Sequence, residues 1–189
     1  MKAILNRYCC FVERHSSNGE VALALLLLIL AVAGMSSVVR QFVVLMNGTL
    51  PLDITLFYGL AQAKSFFEEI PEEAAQYYLS MVAPADVLFP LAYGVLFGFI
   101  VARLLSILKR GGNPAPRGLI AYSLIPAVID YWENAGFVAA LANGREVSET
   151  LLFTTMIASG LKWFFALAGF AILAWLIVRV MVVVRGERK

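Results

Sequence analysis

The sequence predicts an all-α integral membrane protein: a four-helix transmembrane bundle with a partly helical outer loop between the first and second spans. Three observations lead there. Of 189 residues, 61% are hydrophobic and 15% charged, where a soluble domain averages about 45–50% apolar and about 25% charged. The apolar residues gather in four runs, each long enough for the roughly 20 residues that a spanning helix takes. Between the runs stand glycines, prolines and charges of the kind that end helices.

The elements follow in order. Residues 1–19 place Lys2, Arg7, Glu13 and Arg14 around a short apolar patch. The first span covers about residues 21–46. Its first half, VALALLLLILAVAG, resembles a signal peptide, with Ala31-Val32-Ala33 as a small-x-small site. The apolar run continues through SSVVRQFVVLM, so an uncleaved anchor is expected. Residues 47–84 are too polar to span and form the outer loop. Within it, Ile54 to Ile70 puts Leu56, Leu60, Phe67 and Ile70 near one side of a helix, Pro71 breaks that helix, and Glu72 to Met81 reads as a second short one. Such helices lie in the membrane interface or cap a bundle. The second span covers about 85–108 and stops at KRGGNPAPRG. The third covers about 119–141 and ends at Asn143-Gly144. The fourth covers about 149–184, more than a bilayer needs, so it tilts or projects. Residues 1–189 form a single domain.

Orientation follows from lysine and arginine. Lys2, Arg7 and Arg14 precede the first span; Arg103, Lys109, Arg110 and Arg117 flank the second loop; Arg179, Arg185, Arg188 and Lys189 end the chain. The other two loops offer only Lys64 and Arg145, against Asp53, Glu68, Glu69, Glu72, Glu73, Glu146 and Glu149. Both termini are expected in the cytoplasm, with the first loop outside. The bacterial inner membrane is the expected location, since neither end carries a eukaryotic retention or export signal.

The formal charge of +2 comes from these flanks and speaks to membrane orientation rather than nucleic acid. Cys9 and Cys10 are the only cysteines and make no CxxC or Cys/His set for zinc or iron–sulfur. His15 is the sole histidine and lies outside every span. No metal or cofactor is expected. Neither a GxSxG elbow, a phosphate-binding loop, HExxH nor a dinucleotide turn appears, and a Ser-His triad inside the membrane is unavailable. Gly94 and Gly98 fit close helix packing.

The informative residues are polar groups inside the apolar runs: Asp86 in the second, Asp130, Glu133 and Asn134 in the third, Lys162 in the fourth. An Asp or Lys at a helix centre costs roughly 2.5–3.5 kcal/mol on insertion scales, and such residues mark a functional site by default. Asp130 with Glu133 is an i,i+3 pair and Asp130 with Asn134 an i,i+4 pair, so the three share one helix face. At about 1.5 Å per residue, Asp130, Glu133, Lys162 and Arg40 fall at related depths in the outer half or midplane, with Asp86 shallowest. Pro126 frees a backbone carbonyl on the third helix. Tyr93, Tyr122, Tyr131, Trp132 and Trp163 offer aromatic walls and polar donors. The count is three acids against two bases, Lys162 and Arg40. Either one acid keeps its proton, or the cavity is wet, or a cationic ligand completes the balance. A structural ion-pair network joining the helices is the other reading.

Four spans, cytoplasmic termini, a long first loop and the stretch Asp86-Val87-Leu88-Phe89-Pro90 at the second span resemble the EXPERA superfamily of sterol isomerases and related sterol-handling proteins. The resemblance implies a pocket for a hydrophobic molecule carrying an amine or a transient cation. The chain departs from that pattern at Arg40, where the family has an acid, and in lacking the histidine of the isomerase subset.

The expected function is the binding or conversion of an amphipathic lipid or isoprenoid-like molecule. Asp130 and Glu133 are the candidate acid/base or charge-bearing groups. Asp86, Asn134, Lys162, Arg40, Tyr93 and Trp163 are candidate ligand contacts. Two alternatives stay open: a proton-coupled small transporter acting as an oligomer, and a structural subunit of a membrane complex. Membrane lipids, a hydrophobic small molecule and further copies or subunits are the expected partners, and nucleic acid is not.

Overall fold

A computed structural model describes residues 2–143 and 147–186. Among these residues every regular element is a helix. Gly144, Arg145, Glu146, Arg188 and Lys189, used above for a span boundary and for orientation, lie outside the described residues.

The first element is one the sequence reading left unassigned. Lys2–Arg14 is an amphipathic helix, α1. It buries Cys9 and Val12 and leaves Ile4 and Phe11 exposed along one flank. After a short turn, Ser17 caps α2 (Asn18–Leu45): its hydroxyl accepts from the Glu20 amide while the Glu20 carboxylate accepts from the Ser17 amide. Such a capping box satisfies two otherwise unpaired amides. At the far end Asn47 and Gly48 both take positive φ (51° and 97°), and the Gly48 amide closes back on the Val43 carbonyl at 2.8 Å. This is a Schellman-type stop, so the helix ends where the polar loop begins.

The loop differs from expectation. Leu52–Ile54 is a single 3-10 turn, and helix α3 starts only at Leu60 and runs to Glu69. The expected helix from Ile54 is thus shortened, with Gly59 as its N-cap and an extended Thr55 behind it. Its buried face is Ala63, Phe66 and Phe67, and Leu56 is exposed. The expected second short helix is not separate from the second span. Glu72–Tyr77 (α4), a π-helical segment Tyr78–Val82, Ala83–Asp86 (α5) and Leu88–Arg110 (α6) form one helical rod of 39 residues. Pro84 interrupts the hydrogen-bond ladder without stopping the rod, because it falls at the start of α5, where a missing amide costs least. Pro90 lacks the N–H that would pair the Asp86 carbonyl, and the turn at Val87 coincides with that loss. A second Schellman-type stop at Gly111-Gly112, with φ +70° at Gly112, ends α6.

The third apolar run is likewise split, into α7 (Leu119–Tyr122) and α8 (Leu124–Ala142). Pro126 has no N–H for the Tyr122 carbonyl. The Tyr122 hydroxyl instead reaches across to the Phe165 carbonyl at 2.8 Å and fixes the break to the next helix. That helix, α9 (Glu149–Gly186), has 38 residues.

Three of these helices are long and apolar enough to cross a membrane: α2, the rod from Glu72 to Arg110, and α9. Their packing argues the same way. α2 buries only Ala24 and Phe42 and exposes an unbroken surface including Leu23, Leu25, Leu26, Ile29 and Leu30. α9 exposes Phe164, Leu167, Phe170, Val178 and Val182. Apolar surface of this extent is not tolerated in water. The third apolar run is not among the three, because α8 carries Asp130, Glu133 and Asn134 within its 19 residues.

α8 packs most extensively on α9, α2 packs on α6, and α6 touches both α8 and α9. Gly94 lets α6 approach α8, since a Cβ there would lie 3.3 Å from Ala127 Cβ. Gly136 does the same for α8 on α9, where a Cβ would collide with Thr155. Two apolar cores result. One, at the loop end, joins Phe42, Leu52, Phe67, Tyr78, Val82, Phe137 and Leu152. The other, at the α1 end, joins Val12, Ala24, Val101, Leu108, Ile120 and Leu176. The polar groups lie between them.

Candidate functional site

Lys162 is the centre of the site. One turn-face of α9 carries it toward α8, where its ammonium pairs with Asp130 Oδ1 at 3.3 Å and with Glu133 Oε2. The i,i+3 spacing of those two acids on one helix is what lets a single ammonium meet both. Lys162 Nζ also donates to the backbone carbonyl of Asp53 at 2.9 Å, so the loop between α2 and α3 is tied to the centre of the helix cluster. Tyr93 on α6 donates its hydroxyl to the second oxygen of Asp130 at 3.0 Å. Asn134, one turn beyond Asp130, adjoins Asp86. Tyr131 donates to the Val87 carbonyl at 2.7 Å and ties α8 to the α5–α6 junction.

Most of the residues singled out from sequence therefore meet: Asp86, Asp130, Glu133, Asn134, Lys162 and Tyr93, with Trp163 beside them on the cavity wall. Arg40 does not. It is exposed and makes no ion pair or hydrogen bond among the described residues. The expectation rested on depth along α2, and depth arithmetic carries no information about the azimuth of an exposed side chain. Trp132 also turns outward, at 48% exposure. Asp86 was placed at the mouth of its span. It lies instead fourteen residues into the rod that starts at Glu72 and is 6% exposed.

Four residues of the site went unread: Asp53, Tyr78, Ser159 and Tyr58. Asp53 was grouped with the soluble acids of the loop, yet it is 4% exposed, and Tyr78 donates its hydroxyl to Asp53 Oδ2 at 3.0 Å. Burial raises the Asp53 carboxyl above its ordinary 3.8, against the opposing pull of Lys162 and of the Tyr78 hydroxyl. The available signal was its setting, Pro51-Leu52-Asp53-Ile54, an acid in an apolar and proline-bounded stretch. On the far side of Glu133, Ser159 and Tyr58 complete the surroundings.

The charge count changes accordingly. Asp53, Asp86, Asp130 and Glu133 are 4, 6, 4 and 0% exposed, and they face one ammonium. Three uncompensated negative charges at this depth are not sustainable, since each buried ion without a partner costs several kcal/mol. Protons on the acids or a cation must make up the balance. Among the described residues, Asp53 Oδ1, Glu133 Oε1, Asn134 Oδ1, Ser159 Oγ, Tyr58 Oη and Trp163 Nε1 are buried without a hydrogen-bond partner. A native structure carries only a few such groups per hundred residues, and here they cluster at one site. No three His, Cys, Asp or Glu side chains among the described residues are set to hold a metal ion.

The cluster closes one end of a cavity of about 590 Å3, within the range of small-molecule sites, about 300–1,000 Å3. Asp53, Asp86, Asp130 and Lys162 form its polar end; Phe89, Tyr93, Phe97 and Ile100 of α6 and Pro126 of α8 form its floor. Leu28, Val32 and Met35 of α2 make one side and Phe165, Phe170 and Leu173 of α9 the other. α2 and α9 are not among the packed helix pairs, so the cavity lies in the cleft between two helices whose outer faces are apolar. Its chemistry is that of a greasy slot with an acidic end.

Comparison with protein-family models, with curated proteins and with solved structures finds no match for this chain.

Proposed function

We propose that this chain is a four-span membrane protein, with α2, the Glu72–Arg110 rod, α7–α8 and α9 as spans and both termini in the cytoplasm. Its acidic site binds the head of an amphipathic lipid or isoprenoid-like molecule whose tail fills the cleft between α2 and α9. A single observation carries the reading: a cavity of about 590 Å3, apolar for most of its length, ends on the buried carboxyls of Asp53, Asp86 and Asp130 and on the Lys162 ammonium, which Glu133 pairs from behind. The excess of acid favours a cationic head, because a bound amine supplies charge that would otherwise be supplied by protons. The tail needs no aqueous route, since the cleft faces the apolar surface of the bundle.

Asp130 and Glu133 are the charge-bearing groups, with Lys162 holding both. Tyr93 orients Asp130, and Asn134 and Trp163 supply further hydrogen-bonding groups. An acid kept protonated by burial beside an ionised neighbour is also the arrangement that serves general acid and base catalysis, so conversion of the bound molecule is within its reach.

The test compares long-chain probes of equal tail length, dodecylamine, dodecanol and dodecanoate, binding to the protein in phosphatidylcholine nanodiscs. The amine is expected to bind tightest and the carboxylate weakest. Asp130→Asn and Glu133→Gln are nearly isosteric and should stay folded and monodisperse while losing the preference for the amine. Equal binding of all three probes, or an unchanged preference in both variants, would overturn the proposal.

A further inference from the structure

A second cavity, of about 320 Å3, lies at the α1 end of the bundle, roughly 24–35 Å along the rod from Asp86 at about 1.5 Å per residue. It is a notch between the last turn of α1, the last turns of α6 and the loop leading to α7. Ala102 and Leu105 form its back wall, and Ser106, Lys109, Glu13 and Arg117 its rim.

The rim charges do not cancel. Arg117 grips Glu13 through two hydrogen bonds, Nε to Oε1 at 2.7 Å and Nη2 to Oε2 at 2.8 Å. A bidentate pair of this kind is geometrically fixed and neutral as a unit. Both Glu13 oxygens are thereby occupied. Lys109 stands alongside, exposed and with no ion pair among the described residues, and leaves the notch with one positive charge in excess. Ser106 adds an exposed hydroxyl on the same wall.

Arg117 Nη2 also donates to Cys10 Sγ at 3.0 Å, which leaves Nη1 to a ligand. A single excess positive charge, a hydroxyl and that Nη1 match a singly charged oxyanion, and a phosphodiester is the common one. The position identifies its carrier. α1 docks one side of its apolar face on the bundle and leaves Ile4 and Phe11, seven residues apart, 71 and 56% exposed, a surface suited to the acyl boundary of a membrane. Basic notches where spanning helices meet the membrane surface bind anionic headgroups on these terms.

We propose that this notch binds the phosphodiester of an anionic glycerophospholipid in the leaflet that holds α1. Naming that leaflet as the cytoplasmic one rests on the topology proposed above; the binding itself does not.

The test uses the full chain in nanodiscs of phosphatidylcholine with and without phosphatidylglycerol, followed by native mass spectrometry of retained lipid. Wild type is expected to keep phosphatidylglycerol in preference to phosphatidylcholine. Lys109→Ala should weaken that retention about fivefold, the attraction of roughly one lysine for an anionic surface, and Lys109→Arg should restore it. Arg110→Ala, which removes a neighbouring charge outside the notch, should leave it unchanged. Millimolar inorganic phosphate separates the sources: no protection against heat in phosphatidylcholine discs and no displacement of phosphatidylglycerol in mixed discs point to the lipid headgroup. Displacement would assign the notch to a soluble phosphate and overturn the lipid proposal. Equal losses for Lys109→Ala and Arg110→Ala would reduce the effect to general surface charge and overturn it as well. Asp130→Asn should keep the lipid, so a failure of the acidic-site reading and a failure of this one are told apart.

Discussion

Replacing Lys162 with methionine keeps most of the side chain's apolar stem and removes its charge. Three contacts go with the ammonium: Asp130 Oδ1 at 3.3 Å, Glu133 Oε2, and the Asp53 carbonyl at 2.9 Å. Breaking a buried pair by removing one partner costs roughly 3–5 kcal/mol. The site's escape is to take up one more proton. From an ordinary carboxylate pKa near 4, that costs about 1.4 kcal/mol for each pH unit, hence about 4 kcal/mol at pH 7, in agreement with the first figure. The two routes to the number make the prediction specific in pH. Unfolding of wild type and Lys162→Met in detergent micelles should show a deficit of about 3–5 kcal/mol at pH 7 that shrinks by roughly 1.4 kcal/mol per unit toward pH 5. Adding Glu133→Gln to Lys162→Met should restore part of the loss, because it removes one of the stranded acids. A deficit below about 1 kcal/mol at pH 7, the size of an exposed ion pair, would refute the reasoning, as would a deficit that does not change with pH.

Three further outcomes are expected. Gly136→Ala drives a Cβ into Thr155, whose own Cβ lies 3.0 Å from the new atom; thermal unfolding should show a loss of about 1–3 kcal/mol, the usual cost of overpacking. Gly160→Ala, with nothing within 4 Å, should be neutral. The Glu20 carboxyl is held down to about 2 by the Ser17 hydroxyl and amide and by His15. A depressed folded value means that its capping contribution is complete above the ordinary 4.5 and is lost as pH falls toward 2. Hydrogen exchange at the first turn of α2 should accelerate over that window, beyond the intrinsic pH dependence, and Glu20→Gln should flatten the response. Cysteine introduced at Glu72 should react with an impermeant reagent from the outer face only, and labelling from the cytoplasm would reverse the topology.

What could be read from sequence was what depends on one helix at a time. Apolar run length fixed α2 and α9 to within a few residues of their ends, and i,i+3 spacing put Asp130 and Glu133 on a common face because a helix admits no other outcome. Properties set by neighbours were not legible. Arg40 was expected beside the acids from depth alone, but which way it points is decided by how α2 packs on α6. Asp53 looked like its exposed neighbours, although Pro51 and Leu52 fold it beneath the loop, where Tyr78 and Lys162 receive it. The break expected between Met81 and Ala85 was overridden because Pro84 falls at the first turn of α5, where a rod can pass through proline. α1 escaped notice because its apolar stripe is short and flanked by charges, and only its docking on α6 and α7 explains why it holds.

The most direct measurement is photo-crosslinking with a long-chain amine carrying a diazirine in its tail, in nanodiscs, followed by peptide mapping. With the amine at the acids and the tail in the cleft, labels should fall on Leu28, Val32 and Met35 of α2 and on Phe165, Phe170 and Leu173 of α9. Asp130→Asn should remove them. Labels confined to residues away from the cleft, such as Leu30 and Val178, both exposed, or the same pattern in Asp130→Asn, would contradict a binding site between α2 and α9.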